Sequence, residues 1–235
     1  EAAMGAYRIT GGNPASGEVQ ISGNKNGALP CLAATLLTDE PVRLLNVPDI
    51  EDVQVMVKLL ENLGSKVVKE DANTYTIMSG GRSGKLKKKL VQSVRGSILL
   101  LGPLLATIDE VRLTPPGGDV IGLRRLDTHF IGLSSLGASC LINEEGEIHI
   151  KANGSRLQAN DIFLDEASVT ATENLLMASS LAEGQSIISN AASEPHVQDL
   201  CRMLNSMGCH IEGIGSNRLY VTGQKKLHGC EFRLT

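Results

Sequence analysis

Apolar residues recur along the chain at the spacing of amphipathic helices. Two segments, 53–63 and 197–207, place them on one helical face. Each segment ends in a pair, Leu63-Gly64 and Met207-Gly208, and a similar pair, Leu136-Gly137, lies between them. The three pairs are 73 and 71 residues apart. Such regular spacing indicates an internal repeat.

The same further elements surround each pair. A β-rich segment that closes on glycine follows it, at 75–80, 148–154 and 219–223. A helix that is apolar on nearly every face precedes it, at 28–37, 97–106 and 171–182. Helices of this second kind are typical of a buried position.

A polar residue stands eighteen residues before the glycine of each pair, and we expect it to end a strand. These residues are Asn46, Asp119 and Asn190. The pattern therefore predicts an α/β fold of three similar βαβ-type repeats with buried inner helices, at about 25–80, 95–154 and 167–223 of one lobe spanning 25–228. One domain is expected because a single repeat cannot cover its own apolar face.

Helix-start signals support these boundaries. Asp49 is expected to cap the first amphipathic helix, with Asp52 in its first turn. Pro195 falls near the start of the third, where proline is tolerated. The lysine-rich run 85–89 is expected to be a solvated connection between repeats.

Composition narrows the class of protein. The 235 residues are 42% hydrophobic, and the net charge of −4 gives no electrostatic reason to expect a nucleic-acid or membrane partner. The longest apolar run, 98–106, is far shorter than the roughly 20 residues of a membrane span. Five cysteines without metal-ligand spacing indicate reduced thiols in a cytoplasmic protein and no metal site.

Two cations stand where buried helices begin. Lys25 opens the first and Arg95 the second, and a cation at a helix N-terminus opposes the helix dipole unless an anion lies nearby. We therefore expect a phosphate or carboxylate site there. We call the N-terminal ends of the buried helices their mouths. Because the repeats are equivalent, both mouths are predicted to lie at one end of the domain, where the hydroxyls and amides of 168–170 would complete the anion site. The alternative is that Lys25 and Arg95 pair with acids on another element.

A second candidate for a functional site is the loop 115–129, which is rich in proline and glycine. Asp119 precedes the adjacent Arg124 and Arg125, which offers one proton donor and two anion clamps. An ordinary salt-bridged loop would look the same. His129 is as well explained by a helix-surface or half-buried position as by catalysis.

These residues resemble a known family. Segment 22–30 (SGNKNGALP) and loop 116–124 (PGGDVIGLR) are similar to the SGxKNxALP and PGGCxIGxR motifs of the enolpyruvyl transferases that act on UDP-N-acetylglucosamine. Further matches are 168–174, 181–184 and 190–195, in register from about Tyr7 to the end of the chain. The sister enzymes acting on shikimate 3-phosphate are a weaker match, since they carry Lys-Ser where this chain has Lys25-Asn26.

The resemblance implies an inside-out α/β barrel of two similar lobes, of which this chain is one. It implies that the 3′-hydroxyl of UDP-N-acetylglucosamine adds to phosphoenolpyruvate, that C3 is protonated, and that phosphate is eliminated, with no cofactor. The resemblance also implies residue roles. Lys25 and Asp119 would be catalytic, and Lys25 would also contact the phosphoenolpyruvate anion. Substrate binding would involve Asn26 at the sugar, Arg95 and Arg124 at the phosphates, Ser168 and Val169 on the uridine side, and Arg125 and Asp127.

The chain departs from the family pattern in three ways. Asp119 stands where most members have cysteine, which predicts that fosfomycin cannot alkylate it. Arg125 replaces a usual proline, which adds charge and removes a fixed φ. The chain also stops near Thr235, where the second lobe, with its Asp base and Arg clamp, would begin.

The missing second lobe determines the expected domain organisation and leaves two alternatives for the function. We expect a leader or tag at 1–6, a strand leading in from the second lobe at 7–24, and the start of a crossover at 229–235. The chain is then part of an enzyme that needs a complementing second lobe, or a nucleotide-sugar-binding paralogue without turnover. Retention of Lys25, Asn26, Arg95 and Arg124 together argues against a purely structural protein.

Overall fold

The computed structural model describes residues 6, 8–80, 82, 86–117 and 126–235. Its α-helices in these ranges are α1 (Lys25–Ala34), α2 (Glu51–Asn62), α3 (Lys88–Ser93), α4 (Leu101–Ile108), α5 (Asp127–Ser135), α6 (Val169–Ser179) and α7 (Pro195–Ser206). Its strands are β1 (Val42–Leu45), β2 (Lys66–Lys69), β3 (Tyr75–Met78), β4 (Glu110–Leu113), β5 (Ala138–Ile142), β6 (Ile148–Ala152), β7 (Asp161–Phe163), β8 (Gln185–Ser189), β9 (His210–Glu212), β10 (Arg218–Thr222) and β11 (Glu231–Arg233). Two 3-10 segments, Thr35–Leu37 and Arg95–Leu100, extend α1 and precede α4.

Each predicted repeat contributes one sheet. In the described chain the strand orders are β11-β1-β3-β2, β4-β6-β5 and β7-β8-β10-β9. The closing β pair of each repeat is an antiparallel hairpin, and β1, β4 and β8 each pair with its second strand. Parallel partners complete the first and third sheets, β11 beside β1 and β7 beside β8. The three-repeat prediction is confirmed.

The inner helices form the centre of the lobe. α4 and the 3-10 segment before it pack against α6, that 3-10 segment also packs against α1, and most residues of these helices are buried. The amphipathic helices α2 and α7 lie outside them against α1, and α5 lies against α6. The core is therefore aliphatic and shared between repeats, as the predicted all-round apolar helices require.

Two asparagines mark the equivalence of the first and third repeats. Asn46 and Asn190 directly follow β1 and β8 and adopt left-handed φ values of 61° and 58°. Each side-chain amide donates to the carbonyl just beyond the neighbouring parallel strand, Asn46 to Leu234 at 3.1 Å and Asn190 to Leu164 at 2.9 Å. Asparagine suits this position because it tolerates a left-handed backbone and carries an amide donor.

The second repeat does not end its strand at the residue that the predicted spacing makes equivalent to Asn46 and Asn190. The strand upstream of Asp119 is β4, which ends at Leu113, so the expectation that Asp119 directly ends this strand is wrong. Residues 114–117 follow without strand structure, and Asp119 itself lies outside the described residues. The insertion of a proline- and glycine-rich loop before α5 accounts for the shift.

The cap expected at α2 is also wrong. The N-cap residue is Ile50 and makes no side-chain cap. Asp49 instead accepts a hydrogen bond from the Gln54 side chain at 3.1 Å and pairs with Lys69 at 3.2 Å, which holds its carboxylate away from the helix amides. Asp52 lies in the first turn and Pro195 is the first residue of α7, both as predicted.

Arginines hold the far ends of two inner helical segments. Arg82 donates to the carbonyl of Leu36 at 2.7 Å, and Arg156 donates to the carbonyls of Leu181 at 2.6 Å and Ala182 at 3.0 Å. A cation at a helix C-terminus complements the dipole and satisfies carbonyls without helical partners. These ends are therefore stabilised by the chain's own side chains.

The ends of the lobe differ from expectation in one respect. The strand expected within 7–24 is not formed by residues 8–24, which carry no strand and expose Ile9, Val19 and Ile21. A strand needs a neighbour for its backbone groups, and no strand of the described chain pairs with this segment. Within 229–235, β11 adds to the first sheet. Residues 1–5 and Tyr7 lie outside the described part.

Candidate functional site

The N-terminal ends of the inner helical segments converge on one cavity of about 320 Å³. The prediction that the mouths meet at one end of the domain is therefore confirmed. The cavity is lined by Lys25, Asn26, Leu29, Asp52, Arg95, Gly96, Leu99, Val169, Thr170, Glu173 and His196. Helix N-termini leave amide N–H groups without helical partners and carry partial positive charge, so this wall favours an anion.

At the first mouth, a tight turn fixes the start of α1. Asn24 is the N-cap, and its side-chain oxygen accepts the Asn26 N–H at 2.7 Å. The Asn24 N–H in turn donates to the Thr235 carbonyl at 3.2 Å. Lys25 and Asn26, the first residues of the helix, are thereby held at the rim of the cavity.

Lys25 is paired with an acid from another element. Its ammonium lies 2.9 Å from Asp52 in the first turn of α2, and both side chains are more than one third exposed. The ion pair with an acid on another element, which the alternative interpretation expected, is therefore present at Lys25, and Lys25 lines the cavity as well. Asp52 supplies the anion that offsets a cation at a helix N-terminus, and an exposed pair of this kind contributes about 1 kcal/mol or less.

At the second mouth, the 3-10 segment approaches α1 closely. A Cβ on Gly96 would lie 2.8 Å from Cδ1 of Leu29, so glycine permits this approach. The Ser97 hydroxyl ties this segment to the chain before it, since it lies within hydrogen-bond distance of the carbonyls of Val91 in α3 and of Val94. Arg95 stands in front of this anchored turn and lines the cavity.

At the third mouth, Ser168 acts as the N-cap of α6. Its hydroxyl oxygen accepts the Ala171 N–H at 3.4 Å. The next two residues, Val169 and Thr170, line the cavity. The expected binding set 168–170 is therefore divided between a capping residue and two wall residues.

His129 lies in the first turn of α5 and is only 2% exposed, so the expectation of a surface or half-buried histidine is wrong. Its Nε2 is 3.1 Å from the Thr170 hydroxyl oxygen and its Nδ1 is 3.0 Å from the Asn174 amide. Burial, with a smaller contribution from the positive charge of Arg95, lowers the pKa of His129 to about 4. The imidazole is therefore neutral near pH 7.

Glu173 is a buried acid that sequence reasoning did not identify. It lies one turn beyond Thr170 on α6, is 1% exposed, and its Oε1 has no hydrogen-bond partner within the described chain. Burial raises the pKa of this carboxyl well above its ordinary value, and the nearby negative charge of Glu194 raises it further. A signal was present, since Glu173 interrupts the apolar run 171–182.

Replacing Glu173 by glutamine is expected to change how stability depends on pH. The raised pKa means that the folded state holds its proton more tightly than the unfolded state, whose pKa is near 4.5. The wild-type chain therefore loses stability as pH rises above that value toward the folded pKa, by about 1.4 kcal/mol per pH unit, and glutamine removes this loss. Urea unfolding of both chains at several pH values from 4 to 8 measures the difference in stability, which is expected to grow as the pH rises above 4.5.

This comparison isolates Glu173, because His129 is common to both chains. His129 contributes stability above its unfolded pKa of 6.5 that is lost as pH falls toward about 4, which is the opposite slope. Equal pH dependence of wild-type and Glu173→Gln chains would show that Glu173 is ionised in the folded state.

Of the remaining predicted site residues, the structure describes only Asp127. Asp127 is exposed at the first position of α5, outside the residues that line the cavity. Its neighbour Thr128 donates to Asp165 at 2.7 Å, which ties α5 to the loop before α6. Asp119, Arg124 and Arg125 lie outside the described residues.

Wall residues also come from elements that no motif indicated. Asp52 and His196 reach the cavity from the first turns of α2 and α7. In the described part of the chain, no three His, Cys, Asp or Glu residues are grouped as a metal site would need. Nor does any helix there have the length and apolar character to cross a membrane.

A family model for EPSP synthase (3-phosphoshikimate 1-carboxyvinyltransferase) matches residues 9–235. The chain belongs to the EPSP synthase family. The matched range includes all three repeats of the lobe and the two helix N-termini at which Lys25 and Arg95 lie.

Curated relatives specify a branch of the EPSP synthase family. The chain is 52% identical over 232 residues to a UDP-N-acetylglucosamine 1-carboxyvinyltransferase of Treponema denticola, covering 98% of this chain and 54% of that protein. It is 45% identical over 237 residues to the Porphyromonas gingivalis protein of the same name, with the same coverage of 98% and 54%. The chain spans about half the length of these relatives.

Solved structures of the EPSP synthase family share the fold. The enolpyruvyl transferase NikO from Streptomyces tendae matches with a TM-score of 0.80 at 24% identity, over 95% of this chain and 53% of that one. EPSP synthase from Acinetobacter baumannii matches with a TM-score of 0.73 at 21% identity, over 93% and 49%. The predicted fold class is confirmed: the chain has the fold of about half of an enolpyruvyl transferase and does not form a closed barrel by itself.

Proposed function

We propose that this chain is the first lobe of an enzyme that transfers the enolpyruvyl group of phosphoenolpyruvate to the 3′-hydroxyl of UDP-N-acetylglucosamine, the first committed step of peptidoglycan precursor synthesis. The observation that carries the proposal is the cavity at which Lys25, Asn26 and Arg95 meet three helical N-termini. Both substrates are anions, and such a wall binds phosphates and carboxylates through amides and cations.

The binding roles are those that the family resemblance implies, and their positions at the cavity support them. Lys25 takes the phosphoenolpyruvate anion, Asn26 the sugar, and Arg95 a substrate phosphate. Val169 and the capping Ser168 lie on the uridine side at the start of α6.

The remaining roles are assigned to residues within 119–127. Asp119 is the acid that protonates C3, for which its carboxyl must hold a proton near neutral pH through burial or a nearby anion. Arg124, Arg125 and Asp127 bind substrate. No cofactor is involved, because addition and elimination need only proton transfer and charge stabilisation.

A second lobe completes the site in this proposal. It supplies the Asp base that takes the sugar hydroxyl proton and the Arg that clamps phosphoenolpyruvate. Residues 7–24 and 229–235 are the connections to it. We place the enzyme in the cytoplasm, since its five cysteines are free thiols, as in a reducing compartment. Neither nucleic acid nor membrane is a partner.

Calorimetric titration of the chain with UDP-N-acetylglucosamine tests substrate binding. Heat of binding is expected, and its absence at millimolar ligand would refute binding by this lobe. A phosphate-release assay with and without a separately expressed second lobe then tests turnover. Release only with the second lobe is expected, and release by the chain alone would overturn the claim that its site is incomplete.

The half-length match supports a second candidate function. A chain with one wall of the site could hold the nucleotide sugar without turning it over, as a binding paralogue does. Binding without phosphate release in the complemented assay would favour this candidate.

Opposite changes to the Lys25–Asp52 pair are expected to move affinity in opposite directions. Lys25→Met leaves the Asp52 charge uncompensated in the cavity that takes the anionic ligand, whereas Asp52→Asn leaves the lysine charge uncompensated there. Each change is worth about 1 kcal/mol at the separations of such a site. Calorimetry should therefore show Lys25→Met binding UDP-N-acetylglucosamine severalfold more weakly and Asp52→Asn severalfold more tightly.

Lys225→Met is the matched control for loss of one positive charge. The adjacent Gln224 is hydrogen-bonded to Ser180 at the C-terminal end of α6, so Lys225 lies at the far end from the cavity. Its substitution is expected to leave affinity unchanged. Shifts of the same sign for Lys25→Met and Asp52→Asn would contradict an electrostatic role for the pair.

A further inference from the structure

A chain of buried polar groups leads from the centre of the lobe to the cavity. The Gly102 N–H donates to Oδ1 of Asn174 at 2.7 Å. Nδ2 of Asn174 lies 3.0 Å from the Ile98 carbonyl and 3.0 Å from Nδ1 of His129. Nε2 of His129 lies 3.1 Å from the hydroxyl oxygen of Thr170. Asn174 is fully buried and His129 nearly so, hence these groups have each other rather than water as partners.

The chemistry of the groups determines which atom donates and which accepts in each of these hydrogen bonds. A main-chain N–H can only donate and a carbonyl can only accept, so the Asn174 amide cannot be turned around without two repulsive contacts. Its two Nδ2 hydrogens therefore point to Ile98 O and His129 Nδ1. Since Nδ1 accepts, the single hydrogen of neutral imidazole is on Nε2, and it is donated to Thr170.

The last link leaves Thr170 with one unused hydrogen. A threonine hydroxyl has one donor and two acceptor positions, and the bond from His129 occupies an acceptor. Within the described chain the Thr170 hydroxyl has no bond to an acceptor. Thr170 lines the cavity at the second position of α6. One turn away, Glu173 presents its unpartnered Oε1 in the same wall.

We propose that Thr170 contacts the ligand through its hydroxyl hydrogen, which His129 and Asn174 direct into the cavity as positioning residues. The group it takes is an anionic oxygen of the bound nucleotide sugar, a phosphate oxygen in the site described above. This inference rests on the proposed function, because it assigns the ligand to the same cavity.

Two substitutions of Thr170 test the contact. Thr170→Val keeps the shape and removes the hydroxyl, whereas Thr170→Ser keeps the hydroxyl. Calorimetric titration of the 235-residue chain with UDP-N-acetylglucosamine should show binding about tenfold weaker for valine and within about twofold of wild type for serine. Valine and wild type binding equally would overturn the contact.

A double-mutant cycle tests the positioning role. His129→Phe should weaken binding severalfold in the wild-type background and cause no further loss when Thr170 is already valine, because the hydroxyl that it orients is gone. A purely structural effect of the phenylalanine would weaken binding equally in both backgrounds, and that result would overturn the role of His129.

Nitrogen NMR of the histidine side chains gives a readout that does not depend on ligand or on a substituted chain. His129 is expected to be neutral at pH 7 with its hydrogen on Nε2, and a hydrogen on Nδ1 would overturn the relay. Failure of the wild-type chain to bind UDP-N-acetylglucosamine refutes the proposed function and the Thr170 contact together. Normal wild-type binding with an unaffected Thr170→Val chain refutes the contact alone.

Discussion

Replacing Gly102 by alanine is expected to lower the free energy of unfolding by about 3 kcal/mol. A Cβ at this position would lie 2.3 Å from the main-chain oxygen and 2.9 Å from Oδ1 of Asn174. The atom that the added Cβ would meet belongs to the backbone of α6 in the centre of the lobe. A backbone atom cannot rotate away as a flexible side chain can. Overpacking of this kind costs about 1 to 3 kcal/mol, and the buried bond from Gly102 N–H to Asn174 is lost in addition.

Gly27→Ala is the matched control. Gly27 is also a buried helical glycine, but the nearest atom to its added Cβ would be 3.7 Å away, an ordinary contact distance. Alanine favours the helix over glycine by about 1 kcal/mol, so this variant should be as stable as wild type or slightly more so. Urea unfolding followed by circular dichroism measures both. Equal stability of Gly102→Ala and wild type would show that α4 and α6 can separate without loss.

Fosfomycin is expected to leave the protein unmodified. The family motif that this chain resembles implies a cysteine whose thiolate the drug alkylates, and this chain has Asp119 at that position. A carboxylate is a far weaker nucleophile toward such a reagent than a thiolate. Intact-mass spectrometry after incubation with fosfomycin and UDP-N-acetylglucosamine should therefore show the unmodified mass.

The five cysteines present elsewhere do not change this expectation. Burial raises the pKa of every one of these thiols, to about 12 for Cys201 and about 11 for Cys230. Few thiolates are present near neutral pH as a result. A complete transferase with cysteine in the loop, treated in parallel, must gain the mass of one fosfomycin. The same gain in this chain would contradict the prediction.

Sequence pattern identified the parts of the lobe that depend on local chemistry. The inner helices are apolar on every face because they are buried on every face, and this is visible without the fold. Asn46 and Asn190 were placed at strand ends by register alone, and their left-handed backbones explain why that register is kept. Lys25 and Arg95 were assigned to one end of the domain because equivalent helices in a repeat begin on the same side.

Features that depend on a partner could not be predicted in this way. Asp49 was expected to cap α2, but Gln54 and Lys69 compete for its carboxylate. The family resemblance implied a strand within 7–24, yet a strand forms only beside another strand, and no strand of the described chain pairs with residues 8–24. The charge state of Glu173 depends on burial and on Glu194, which is distant in sequence. Each of these is decided by a tertiary neighbour rather than by spacing.

The pairing of β11 with β1 has a consequence for biosynthesis. Arg43 faces Glu231 across this parallel pair, 188 residues later in the chain. A ribosome delivers β1 well before β11, so the first sheet remains incomplete while the second and third repeats emerge and form their own hairpins. Closing so long a loop carries an entropy cost that local hairpins avoid, which makes this pairing a late step. The repeat that is translated first is therefore the one that finishes folding last.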